Sequence, residues 1–421
     1  MRIRFFGSIS KNGFLRSILV LMTGSVLAAA IRAVATPVLT RLYSQEAMGA
    51  YSYLISISSI FMGVVNCRYD ISIVTDSEEK HVFPLIKLSL LIGLAVTVIS
   101  SLVFTGIFIY NGKPFYWPIL FFFNLLAYSI VNVLTAYNNR NKEYRVISSV
   151  GVFRRGTQYG LAILLGLIFP YSICLLIPYV FGEFMGISRQ LKPLKPHLQT
   201  VREAKPSQIR DVAKLHWKQA FFSLPALLAN SLSYSLITIF IGQLFGMSTV
   251  GLYSISLTLL GIPLGLIGGN VAKVFMQKAS SEFANSGSYS HAFKRTFFLL
   301  FSVAVPMLIV LLFFAEPLCS FILGKEWAVA GTFIKILAPM FAVRFITSAL
   351  SPAFTIVKKQ QLDLILQLLF LASNLISFFV SKVYGFDANG FLKMISILFT
   401  VSYSLYLFFI YYYSRKNFKT A

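Results

Sequence analysis

Apolar residues in this chain run in long unbroken blocks, separated by short clusters of charged residues, glycine and proline. The blocks do not alternate apolar with polar positions, which excludes a β-barrel. Most exceed the ~20 residues a helix needs to cross a bilayer. They predict twelve membrane-spanning helices, at residues 17–40, 46–67, 83–110, 117–138, 146–169, 171–188, 218–245, 248–276, 296–315, 329–356, 362–384 and 389–413. The longest predict tilt, or extension beyond the hydrocarbon. The first block has a basic flank (Arg2, Arg4, Lys11, Arg16) and small residues at Ala28–Ala30, as a signal peptide does. It continues past Arg32 to about Leu39, the length of a retained span rather than a cleaved segment.

Composition agrees. Of 421 residues, 57% are apolar and 12% charged, against about 25% charged in soluble domains. Twelve spans leave only short loops, so a large soluble domain on either side is excluded. The net charge of +23 would suggest nucleic acid in a soluble protein. In a membrane protein it is first a topology signal, because Lys and Arg gather in cytoplasmic loops. With the N-terminus inside and Arg154 and Arg155 counted there, 29 Lys and Arg fall on the cytoplasmic side, 5 outside and 3 (Arg32, Lys335, Arg344) within spans, which accounts for all 37. Placing those two arginines within their span makes the inside count 27 and leaves the orientation unchanged. Both termini are then cytoplasmic, and no nucleic-acid partner is expected.

The longest loop, about Arg189 to Lys218, holds eight basic residues with Pro193, Pro196 and Pro206. It divides the chain into an N-terminal bundle (1–188), a basic linker (189–217) that can lie near anionic headgroups, and a C-terminal bundle (218–421). A shift of 202 residues lays Leu42-Tyr43 on Leu244-Phe245 and Gly49-Ala50-Tyr51-Ser52 on Gly251-Leu252-Tyr253-Ser254, with four identities. Two six-helix halves of one orientation form a parallel repeat, an architecture of transporters with a site near the midplane.

Charges inside a bilayer are costly and mark function by default. Arg32, Arg154, Arg155 and Arg344 fall within spans, and few acids are available to pair with them. Arginine remains charged when buried and grips phosphate with paired N–H donors, so the four are candidates for a cationic diphosphate site. The competing expectation is snorkelling or pairing with carboxylates. Glu183 is either a proton- or ion-coupling carboxylate or a partner for an arginine. Arg68, Asp70 and Asp363 stand at span ends, as gate residues or as caps. Polar residues at helical spacing mark faces unsuited to lipid: Asn124, Tyr128 and Asn132; Ser223 and Asn230; Gln367 and Asn374. Gln158 shares a face with Arg154. They are candidates to line a hydrophilic cavity, against the alternative of interhelical hydrogen bonds. Pro37, Pro178, Pro225, Pro263, Pro306 and Pro339 permit kinks within spans. Cys67, Cys174 and Cys319 are dispersed and the four histidines are unclustered, so neither a disulfide framework nor a zinc site is expected. No nucleotide-binding loop or nucleophile motif appears; no cofactor is expected beyond a coupling ion.

Four patches carry a family resemblance. They are Pro37-Val38-Leu39-Thr40-Arg41-Leu42-Tyr43-Ser44 with Arg68-Tyr69-Asp70; Tyr137-Asn138-Asn139-Arg140 with Tyr144-Arg145, Arg154 and Gln158; Gly246 and Val250-Gly251-Leu252-Tyr253 with Pro263-Leu264; and Phe321 to Trp327 with Pro339 and Ser351-Pro352. In this order the chain resembles the O-antigen and polysaccharide flippases of the multidrug/oligosaccharidyl-lipid/polysaccharide exporter superfamily. That family often has Glu where Asp70 stands. The resemblance implies an all-α polytopic membrane protein of two six-helix bundles with a V-shaped central cavity. It also implies movement of polyprenyl-diphosphate-linked oligosaccharide, an O-antigen or capsule repeat unit, from the cytoplasmic to the periplasmic leaflet of the bacterial inner membrane. Proton or sodium coupling, and a polysaccharide polymerase with its chain-length machinery as partners, go with that role. The alternatives are a multidrug or small-solute transporter of the same fold, a membrane enzyme of the same pathway, and a scaffold.

Overall fold

A computed structural model of the chain describes residues 13–110, 112, 114–357 and 359–416. Arg2, Arg4, Lys11 and Lys113 lie outside the described residues, as does the side chain of Ser223. Helices form nearly everything described, with no strand among those residues. In chain order they are α1 (Gly13–Leu42), α2 (Gln45–Met62), α3 (Tyr69–Thr75), α4 (Glu79–Tyr110), α5 (Tyr116–Arg140), α6 (Tyr144–Gly166), α7 (Ile173–Phe184), α8 (Ile187–Leu191) and α9 (Leu198–Glu203). Then come α10 (Pro206–Pro263), α11 (Gly269–Ser286), α12 (Ser290–Leu323), α13 (Ala328–Leu350), α14 (Ala353–Ile356), α15 (Gln360–Tyr384) and α16 (Ala388–Arg415).

Eight stretches are long and apolar enough to cross a membrane, and one of them, Leu227–Ser286, is 60 residues long. That stretch holds two predicted spans, separated where α10 breaks at Gly246 (φ 85°, ψ 174°), backbone that only glycine adopts readily. The remaining predicted spans are helices of a different kind. α2 is rich in Ser and Tyr, α6 carries Arg145, Arg154 and Arg155, and α7 is only 12 residues long. At 1.5 Å per residue α7 extends about 18 Å, short of the ~30 Å hydrocarbon core. The predicted span 171–188 is therefore shorter than its apolar run suggests, because the chain turns at Gly186 in the left-handed region (φ 80°).

The chain forms two compact units. One contains residues up to Tyr43 and Leu54–Leu228; the other contains Ser44–Tyr53 and Ala229 onward. In the first, α1 packs along α6, and α4 along α5. Small residues allow the close approach: a Cβ on Gly24 would overlap Ser148, and one on Gly166 would overlap the Tyr43 ring. The Tyr43 hydroxyl donates to Ala162 O at 2.6 Å. A separate apolar core joins Ile73 of α3, Val82, Leu85 and Ile86 of α4, Val133 and Leu134 of α5, Leu194, Val201 of α9, and Val212 of α10. Asp76 rims it, accepting from His81 (2.9 Å) and His216 (2.8 Å).

In the second unit α13 packs against both α12 and α16. The sequence repeat has a physical counterpart there. A Cβ on Gly49 would lie 1.8 Å from Met247 O, and one on Gly251 would lie 2.0 Å from Gln45 O. The 202-residue shift carries Gln45 onto Met247 and Gly49 onto Gly251, so each contact is the image of the other. The start of α2 thus crosses the second half of α10 backbone to backbone. Gln45 seals the crossing by donating to Glu326 O at 2.6 Å and accepting from Ser248 at 2.7 Å.

Candidate functional site

The first unit gathers its polar machinery between α6 and α7. Arg154 and Gln158 lie one turn apart on α6, as their spacing predicts. Gly182 lets α7 approach, since a Cβ there would lie 2.1 Å from the Gln158 side chain. Gln158 is buried at 4% exposure. Its amide donates to Glu183 Oε1 (2.9 Å) and to Tyr179 O (3.0 Å), and its carbonyl accepts from Arg155 (2.6 Å). Glu183 faces Arg154 at 3.7 Å and Arg155 at 3.9 Å. The carboxylate therefore stands between two guanidinium groups.

The two arginines differ. The Arg154 side chain is 12% exposed, and also donates to Met185 O (3.1 Å) and Gln190 Oε1 (3.4 Å). Arg155 is 42% exposed. Arg154 is built into the turn after α7, whereas Arg155 is the more exposed of the two. Arg32 is exposed on α1, and Thr36 bonds back to its carbonyl at 2.8 Å. Asp70 is buried near α5, with the Asn132 amide 3.5 Å away. Arg68 precedes α3 in the left-handed region (φ 65°). Asn124 is buried at 1% exposure, facing protein rather than open space.

The second unit holds Arg344 on α13. Its guanidinium lies 4.3 Å from the Tyr234 ring centroid and 5.2 Å from that of Phe341. Such stacking stabilises a cation without neutralising it. No carboxylate forms an ion pair with Arg344 among the described residues. The Tyr234 hydroxyl is hydrogen-bonded to that of Tyr403, and Asp363 accepts from the Tyr406 hydroxyl.

The polar stripes on α10 and α15 meet each other. Asn230 donates to Gln367 (2.9 Å), and the fully buried Asn374 donates to Ser233 O. Their amides join helices, the alternative that the helical spacing left open. Sequence reasoning missed Gln190, the Asp76–His81–His216 cluster, and Asn66, whose buried amide donates to Ser89 O (3.0 Å) and the Ser129 hydroxyl (2.8 Å). Gln190 and Asn66 have no periodic neighbours to flag them, and the two histidines lie 135 positions apart. Among the described residues no cluster of His, Cys, Asp and Glu suits a metal ion.

Comparison with solved structures shows the same fold at low identity. Lipid II flippase MurJ, in an inward closed conformation, aligns with TM-score 0.69 and 15% identity over 94% of this chain and 87% of its own. An inward-facing multidrug resistance MATE family transporter of the MOP superfamily gives 0.66 and 13%, covering 94% of each chain. A MOP superfamily transporter from Pyrococcus furiosus Vc1 gives 0.59 and 12%, again over 94% of each. No curated protein matches the sequence. The family model for polysaccharide biosynthesis proteins matches residues 38–332, more than half of the chain. This multi-pass membrane protein, all-helical with a MOP-type fold, belongs to the polysaccharide biosynthesis protein family.

Proposed function

We propose that the chain is a flippase carrying polyprenyl-diphosphate-linked oligosaccharide from the cytoplasmic to the periplasmic leaflet by alternating access, coupled to protons or sodium. The observation that supports this most is the pair of guanidinium groups, Arg154 and Arg155, gathered on one carboxylate, Glu183. A sugar diphosphate cannot enter hydrocarbon unaided, and two guanidinium groups within a membrane protein are expensive unless they meet anions. Arginine donates two parallel N–H bonds to phosphate oxygens. Arg155, nearly half exposed, is the donor best placed to make them. Arg344, stacked on Tyr234, is a second cation suited to the same class of ligand. Arg32 is proposed as an outer contact. Arg68, Asp70 and Asp363 are assigned to gating, and Glu183 to ion coupling.

The test is reconstitution in vesicles with a fluorescent polyprenyl-diphosphate oligosaccharide, scored by its accessibility to an added glycosidase. Wild type should move the lipid between leaflets, and Arg154→Gln/Arg155→Gln/Arg344→Gln should lose at least nine-tenths of the rate, on the order of 1.4 kcal/mol or more of lost stabilisation. Full retention by the triple variant would sink the cationic-site reading. Transport of a cationic dye with no lipid movement would favour the small-solute transporter.

A further inference from the structure

The basic stretch after α7 reads in sequence as a tether, yet it is folded onto the first unit. Leu194, Val201 and Val212 are 2%, 8% and 1% exposed, inserted into the core that α3, α4 and α5 build. Asn138 donates to Gln190 O at 2.8 Å. His197 stacks on Phe83 with ring centroids 5.1 Å apart. Lys87 closes the end of α9 by donating to Arg202 O (2.6 Å) and Ala204 O (2.8 Å), where a cation meets unsatisfied carbonyls.

Docking consumes the apolar side and leaves the charged side outward. Arg189, Lys192, Lys195, Arg202, Lys205 and Arg210 are all exposed, and none forms an ion pair among the described residues. Only Glu203 and Asp211 offset them between residues 187 and 217. The cations hand over along α10 to exposed apolar groups. Leu215 is 58% exposed, Trp217 48% and Phe221 63%, with the two rings 6.1 Å apart. Cations followed by an exposed Trp and Phe on one helix are the pattern of a segment at headgroup level, with rings at the edge of the hydrocarbon.

We infer that the outer face of residues 187–217 is a binding surface for anionic phospholipid headgroups, with Trp217 and Phe221 entering the adjoining acyl region. A tether would need only a few charges to hold topology. A fixed array of unpaired cations on a docked scaffold attracts anionic lipid within a Debye length of the surface. None of these six cations is among the arginines of the candidate site, and the inference does not rest on the flippase reading.

The experiment uses the full chain purified in neutral detergent, with thermal unfolding followed on adding phosphatidylglycerol or phosphatidylcholine. Phosphatidylglycerol should raise the midpoint by about 2–5 °C over phosphatidylcholine. The shift should vanish at high salt and in Lys192→Gln/Lys195→Gln/Arg202→Gln/Lys205→Gln. It should persist in Lys273→Gln/Lys278→Gln/Lys294→Gln/Arg295→Gln, which removes equal charge from exposed positions of the second unit. A shift that survives the linker substitutions, or that both variants lose alike, overturns the inference. So does an equal shift from inorganic pyrophosphate that the linker substitutions abolish, which would mark a soluble-anion site on the linker. A measurement without variants complements it: photoreactive phosphatidylglycerol should label wild-type peptides from 187–221 in preference to those from 273–295. The reverse preference overturns the assignment.

Discussion

In the proposed site Glu183 and an anionic ligand would compete for the same guanidinium groups. At 3.7 and 3.9 Å from Arg154 and Arg155, the carboxylate holds part of the attraction a phosphate would otherwise draw on. Glu183→Gln keeps an acceptor for the Gln158 amide and removes the charge. Its expected effect is tighter binding of inorganic pyrophosphate, by roughly tenfold, or about 1.4 kcal/mol, read by calorimetry. Unchanged or weaker binding would refute the competition. The two arginines should also separate. Arg155→Gln is expected to weaken that binding with a stability cost below about 1 kcal/mol, as for exposed pairs. Arg154→Gln, which removes bonds to Met185 O and Gln190, should cost about 3–5 kcal/mol in a partly buried network, visible as a lower unfolding midpoint. The sequence marked Arg154, Arg155, Gln158 and Glu183 by their residue type within apolar runs. It could not show which of them touch, because α6 and α7 are brought together by Gly182 and by a turn, neither of which has a periodic signature.

Helices meet where side chains are small, and this makes two single-atom substitutions informative. Gly49→Ala and Gly251→Ala each place a methyl within 2.0 Å of a carbonyl oxygen across the α2–α10 crossing. Backbone cannot yield as a flexible side chain does, so each should destabilise the protein by about 1–3 kcal/mol. The repeat symmetry predicts comparable losses, and unequal midpoints would deny that the contacts are equivalent. Asp76 ties α3 to α4 and α10. Burial raises its pKa, but the Glu78 N–H and hydrogen bonds from His216 and His81 outweigh this and lower it below the ordinary 3.8. Arg140 also faces this corner, donating to the backbone carbonyls of Ile73 and Asp76. A lowered carboxylate pKa stabilises the fold fully above the unfolded value, and that contribution is lost as pH falls through the folded one. Wild type should therefore lose stability on acidification below about pH 4, and Asp76→Asn should lack that component while being less stable at neutral pH. Parallel midpoint-versus-pH curves for the two proteins would remove Asp76 from this role. Apolar blocks revealed the long helices because burial in lipid leaves a contiguous mark. The short helices α8 and α9 had no such mark, since only a few of their residues enter a core.

At the scale of the whole molecule, charge placement specifies orientation. Twelve spans return the chain to the side on which it began, and 29 of the 37 Lys and Arg fall on that side, or 27 with Arg154 and Arg155 placed within their span. Lys and Arg near span ends resist translocation, so the richer side is proposed to be cytoplasmic. The same orientation would place the docked linker and the Asp76 corner in the cytosol, against the leaflet on which a lipid-linked sugar is assembled. It would place the Gly49–Gly251 crossing toward the periplasm. The prediction is specific to position. Green fluorescent protein fused after Arg415 should fluoresce, and alkaline phosphatase at the same point should be inactive. Alkaline phosphatase inserted after Gly385, in the turn between α15 and α16, should be active. Those two helices are antiparallel neighbours, so the paired fusions test a single crossing with little dependence on the rest of the topology. Active phosphatase at Arg415 with inactive phosphatase at Gly385 would invert the orientation. The direction of transport proposed from that orientation would fall with it.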